Sequence, residues 1–249
     1  MVLMSESSKP SRELSIEEIL SLTFNLYFKN FNIFFIPFLI ASIISALLNF
    51  PMLSYAQEIQ KMDFTGPPDI VLNELLNILL TLIAIAFITA IISWIIGSIV
   101  SGVIIKSASD IIEKGETSLS NSFNFAVSKL PSILVASLIV GILTTLGLFA
   151  FIIPGIIISI MFYLVIPTII IEEKGAFDSL SRSRKLVSNR WLKTFALALI
   201  IGIIIAVLAI LVSLILAPLG AYSSLASTII ISVIEPISCL LYTSPSPRD

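Results

Sequence analysis

The sequence predicts an all-α protein that crosses a membrane several times. Three observations predict it. Hydrophobic residues fill 57% of 249 positions and charged residues only 12%, where a soluble domain carries about 25% charged residues. Mean hydropathy is +1.09. Apolar runs recur along the chain, each near the ~20 residues that cross ~30 Å of hydrocarbon. In lipid the backbone must pair with itself, and a helix does so segment by segment.

The elements follow in order. Residues 1–14 form a polar tail without the apolar core of a cleavable signal. Ser15-Ile16-Glu17-Glu18 has the spacing of a capping box and opens a helix through Phe24 and Tyr27 to Lys29. Six crossings are then expected, over about 32–50, 71–101, 132–153, 156–171, 192–216 and 222–238. The second exceeds what a bilayer needs and is expected to tilt or protrude. The fourth is short and carries Pro167 near its inner end, where a proline kinks a helix. The outer connections are a longer loop over 51–69, a tight turn at Pro154-Gly155 and another at Pro218-Leu219-Gly220. Pro154 presets φ and Gly155 admits φ values barred to other residues, so together they suit a turn between antiparallel helices. Residues 15–238 thus read as one membrane domain.

Charge orients this layout. The net charge of −2 says little, but the sidedness says much. Apart from Arg248, twelve of the thirteen Lys and Arg fall on one side, and only Lys61 falls on the other. Basic residues gather on the cytoplasmic side, so the N-terminus is expected in the cytoplasm and the protein in the cytoplasmic membrane.

Glu113-Lys114-Gly115 recurs as Glu173-Lys174-Gly175, each time followed by a Ser-rich amphipathic stretch and an outward crossing. The N-terminal helix offers a third version. The expected unit is an interfacial helix, a helix out and a helix back, used three times. Every unit then shares one orientation, unlike the inverted repeats of many transporters. Small residues recur four apart at Ser93-Gly97-Ser101, Ser137-Gly141-Thr145 and Ala198-Gly202-Ala206. Such spacing lets helix backbones approach closely in lipid. Intramolecular packing and a homodimer face both remain open readings.

Chemistry concentrates between Ile153 and Phe195. Asp178 and Arg182 stand four apart and can pair, worth ~0.2–0.5 kcal/mol. Phe177, Leu180, Val187 and Trp191 form an apolar stripe interrupted by Arg184, with Arg182, Lys185 and Arg190 on other faces. A helix of this kind lies in the interface. Two readings are open. Arg182, Lys185, Arg190 and Trp191 contact anionic lipid head groups, at roughly 1 kcal/mol per basic residue; or the basic residues are an ordinary topological anchor. Glu235 is the acidic residue deepest in an apolar run, and a carboxylate there is a candidate for proton or ion coupling.

Pro154, Gly155, Pro167, Glu172, Gly175, Leu180, Arg182, Ser183, Leu186, Val187 and Trp191 form a spaced pattern. It resembles the membrane domain attached to some prokaryotic glycerophosphodiester phosphodiesterases, and related stand-alone membrane proteins. Ser179 stands where that pattern has alanine. The wider resemblance covers most of 15–238 by helix pattern alone. It implies a six-helix membrane domain and no particular reaction.

Several activities are excluded. The chain has no histidine and one cysteine, Cys239, so the commonest general base is absent and no internal disulfide can form. No Gly-rich phosphate loop, Ser-His or Cys-His pairing, or basic nucleic-acid-binding domain is present. The diesterase chemistry of the resembling family rests on histidines and a metal-binding carboxylate cluster in a soluble barrel. No catalytic residue, metal or cofactor is therefore expected. The expected role is a non-catalytic membrane scaffold or lipid-associated module. The alternatives are a small permease or exporter using the bundle interior and Glu235, and the membrane subunit of a lipid-metabolising enzyme. Expected partners are the bilayer with its anionic lipids and a second copy or another membrane protein, not nucleic acid. Residues 239–249, CLLYTSPSPRD, resemble the translation of a transposase-type sequencing adapter, codon for codon. The natural chain is accordingly expected to lack Cys239 and to have been cut after Ser238.

Overall fold

A computed structural model describes residues 16–61, 66–188 and 190–216. Among them there are helices and no strand. The helices are α1 (Ile16–Lys29), α2 (Phe31–Lys61), α3 (Pro68–Lys114), α4 (Leu119–Ala150), α5 (Ile152–Met161), α6 (Val165–Ile171), α7 (Ala176–Ser188) and α8 (Trp191–Leu216). Four spans are long and apolar enough to cross a membrane: Phe31–Met52, α3, α4, and α5 with α6 as Ile152–Ile171. A fifth results if α7 and the start of α8, bent by 94°, count as one. The sixth expected crossing, the Pro218-Leu219-Gly220 turn, Ser15 and the terminal tails lie outside the described residues.

Two expected boundaries are corrected. The loop expected over 51–69 is largely helical, because α2 runs through Pro51 to Lys61 and α3 begins at Pro68. A proline breaks one backbone bond of a helix but does not oblige it to end. The expected turn at Pro154-Gly155 is also displaced. The chain reverses at the single extended residue Phe151, and Pro154 and Gly155 lie in the first turn of α5. A proline fits there because the first amides of a helix lack helical partners anyway.

Gly155 serves closeness, not an unusual φ. A Cβ placed on it would lie 2.5 Å from Leu148 Cγ and 2.7 Å from the Leu148 backbone nitrogen. One on Gly147 would lie 2.9 Å from Gly155 Cα. The two glycines thus let α4 and α5 touch backbone to backbone. Gly102 makes room for side chains of α4, since its Cβ would come within 2.9 Å of Ala126 Cβ. The small-residue stripes anticipated from sequence lie elsewhere. A Cβ on Gly141 or Gly202 meets nothing within 4 Å among the described residues.

The molecule divides into two units, Met1–Leu39 with Ser98–Asp249, and Ile40–Gly97. The second unit carries the later part of α2 and most of α3. Its large apolar side chains, such as Leu47, Leu80 and Phe87, are exposed. Its polar side chains return to their own helix: Asn49 Nδ2 donates to Ser45 O and Thr81 Oγ1 to Asn77 O, both at 2.8 Å. That pairing is what a lipid-facing helix requires of a polar group.

The first unit holds the buried core. Tyr27 is fully buried and its ring meets Phe31 edge-on at 5.4 Å and Phe34 at 6.4 Å. Ile104, Ile105, Ile133, Ile169 and Ile170 fill the space among α3, α4 and α6. The span α5–α6 is broken at 162–164. Pro167 lacks the N–H that would bond Tyr163 O, and its ring crowds that carbonyl. The chain adapts with shorter bonds, Tyr163 N–H to Ile160 O and Val165 N–H to Phe162 O, both at 3.2 Å. The kink expected from Pro167 is thus a break one turn before it.

Candidate functional site

The segment singled out in sequence becomes a clamp built by α7 around the end of α6. Its buried face carries Ser179, Leu180, Ser183 and Val187. The expected apolar stripe is corrected here, since Phe177 is 74% exposed. Serines replace large residues on the packed side because α7 lies close against α6. Phe177, Ser181, Arg184 and Lys185 form the exposed side.

Glu172, at the end of α6, is the centre of the charged group. Arg182 Nε donates to both of its carboxylate oxygens at 3.1 Å, and Lys174 Nζ pairs with it at 2.8 Å. The pairing of Arg182 with Asp178 anticipated from their spacing gives way to this one, because Glu172 offers two oxygens to one N–H and is partly buried. Burial raises the Glu172 pKa, but the hydrogen bonds and charges of Lys174 and Arg182 outweigh it and hold the carboxyl below its ordinary value. Lys129 of α4 reaches the exposed Glu173 at 3.5 Å.

Ser183 closes the helix break. Its hydroxyl donates to Met161 O at 2.9 Å and accepts the Leu164 N–H at 3.2 Å. The last carbonyl of α5 and an amide freed before α6 are both paired by one buried oxygen. Ser179, one turn earlier, is also fully buried, but its hydroxyl has no partner among the described residues. Gly175 starts α7, its carbonyl accepting the Ser179 N–H at 3.0 Å.

The other anticipated residues sit apart from this clamp. Lys185 is exposed, and Arg190 is half-buried in the corner between α7 and α8. Trp191 stacks on Phe195 at 5.6 Å, and its indole nitrogen is buried without a partner among the described residues. Glu235 lies outside the described residues.

A second polar group escaped the sequence reading. Asp110 of α3 is 7% exposed, and its Oδ1 accepts from Lys106 at 3.1 Å and Lys114 at 2.7 Å. Beside it Ser107 donates to Ser122 at 3.0 Å, and Thr117 lies 3.3 Å from the same oxygen. Lys106 Nζ stands 4.8 Å from the centre of the Phe125 ring and Lys129 Nζ 5.6 Å from it. The signal was present, since Lys106, Asp110 and Lys114 fall at four-residue steps on one helix face.

The two Glu-Lys-Gly motifs are not equivalent in structure. Gly115 follows α3 with φ of +80°, whereas Glu173 takes that place after α6 with φ of 54°. The first helix ends after Lys114 and the second already at Ile171. Counted from the residue before each following helix, Ser122 matches Ser179, and both are fully buried.

Lipid-length apolar helices and internally paired charges define an α-helical protein of membrane-spanning composition. Residues 18–243 match the model of a family described as a domain of unknown function (DUF7847), and the chain belongs to that family. No curated protein and no solved structure matches it.

Proposed function

We propose that this chain is a non-catalytic, multi-pass protein of a prokaryotic cytoplasmic membrane, with its N-terminus in the cytoplasm, acting as a scaffold or lipid-associated module. The observation that carries the reading is where the charges go. Glu172 is closed by Arg182 and Lys174, and Asp110 by Lys106 and Lys114. Glu172 with Arg182 ties the end of α6 to α7, while Asp110 and its two lysines close on one another along α3. The resemblance of 153–195 to the phosphodiesterase-attached membrane domain supports the same reading, and the clamp gives its Glu172, Arg182 and Ser183 a structural reason. The exposed Arg184 and Lys185 beside Phe177 suit an interface rich in anionic lipid.

The test is lipid selectivity. The purified chain, taken from a known mixture of phosphatidylglycerol and phosphatidylcholine, is analysed by native mass spectrometry for retained lipid. An excess of the anionic lipid over its share in the mixture is expected. Retention in proportion to the mixture would remove the lipid-associated part of the proposal.

A further inference from the structure

We propose that the Phe125 ring with Lys106 and Lys129 forms a docking place for the phosphate of an anionic phospholipid, its acyl chains lying along α4. This rests on the lipid-associated reading and gives it a location different from the α7 face. Two ammonium groups from two helices converge on one ring, at 4.8 and 5.6 Å from its centre. Both lysines are 24% exposed along their side chains, so each is held yet reachable.

Position along the chain sets the depth. Lys106 is the first charged residue after the apolar run that starts beyond Glu74, and Lys129 is the last before the run that ends at Glu172. Lysines at such borders place their ammonium groups at head-group level. On the apolar side of Lys129, Val135 is 43% exposed and Leu138 51% exposed along α4. They give a chain of methylenes something apolar to lie on.

The neighbouring acids leave room for a phosphate. Asp110 is shared between Lys106 and Lys114, so it neutralises neither fully. Glu173 meets Lys129 only at 3.5 Å and is 64% exposed, so it can turn into water. Glu113 and Glu116 are exposed next to Lys114. A phosphate diester between Lys106 and Lys129 supplies the anion that the ring, with only a partial negative face, does not.

The test compares retained phosphatidylglycerol over phosphatidylcholine in the whole chain and its variants. Lys129→Gln is expected to lower that ratio about five-fold, and Lys106→Gln/Lys129→Gln further. Lys106→Arg/Lys129→Arg should keep it, and Arg184→Gln/Lys185→Gln should change it less than Lys129→Gln does. Lys129→Gln alone decides the matter if loss of the Asp110 pairing prevents the double variant from folding. A wild type that is selective while Lys129→Gln is equally selective overturns this site and leaves the lipid-associated reading standing. A wild type without selectivity sinks that reading itself. Loss of bound lipid to millimolar inorganic phosphate would overturn the site as a lipid site and make it one for free phosphate.

Discussion

Ser183 and Ser179 occupy successive turns of one helix and are equally buried, yet they answer opposite demands. The Ser183 hydroxyl serves a donor and an acceptor at once. Removing it strands a part-buried amide and a part-buried carbonyl, each worth up to about 1–3 kcal/mol. Ser183→Ala should therefore lower the thermal unfolding midpoint in detergent clearly. Ser179→Ala removes a hydroxyl without a partner among the described residues, so it should be neutral or stabilising by up to ~1 kcal/mol. A Ser179→Ala variant as damaged as Ser183→Ala would refute this account. Glu172 carries a pH dependence. Its folded pKa is depressed, so its contribution is present above the ordinary carboxylate range and fades as pH falls through the folded value. Glu172→Gln should flatten the acid side of the stability profile while changing little of its slope at neutral pH. The sequence displayed Arg182 and Ser183 as a motif but hid their roles. Their partners stand 10 and as many as 22 residues away. The connection between α6 and α7 brings Arg182 back to Glu172, and the break before Pro167 frees the groups that Ser183 bonds.

Helices were legible because apolar length is a local property. What joins them was not. Pro154 and Gly155 carry every composition signal of a turn, yet the reversal happens at Phe151 and they begin the next helix. Composition marks where a chain can bend, while the packing of Gly147 on Gly155 decides where it does. Gly155→Ala should force α4 and α5 apart and cost about 1–3 kcal/mol. Gly141→Ala, with nothing within 4 Å among the described residues, should instead stabilise by roughly 0.5–1 kcal/mol, because glycine weakens a helix interior. Equal effects in thermal unfolding would contradict the close approach. The repeated Glu-Lys-Gly text has a similar limit. Its letters align at one offset, while the left-handed residues, Gly115 and Glu173, align at another. The left-handed region costs a side chain about 1–2 kcal/mol, so Glu173→Gly should stabilise the second turn slightly; a drop in midpoint would argue against it.

At the scale of the whole molecule, bulk composition was sufficient to give the class, and the helices agree with it. Sidedness is a separate matter, because charge bias is a statement about both faces of a membrane. With the N-terminus inside, a cysteine at Gln57, late in α2, should react in intact cells with an impermeant thiol reagent, and one at Lys185 only after permeabilisation. Both are made in a Cys239→Ser background, and the reverse pattern would invert the proposed topology. The break in Ile152–Ile171 has a mechanical meaning as well. Two short rods meet at a joint, and one oxygen of α7 is bonded to both of them. Neither rod can rotate against the other without pulling on that oxygen. A displacement of α7, whatever causes it, is thus delivered to the middle of a span, and a rearrangement within the span is delivered back to α7.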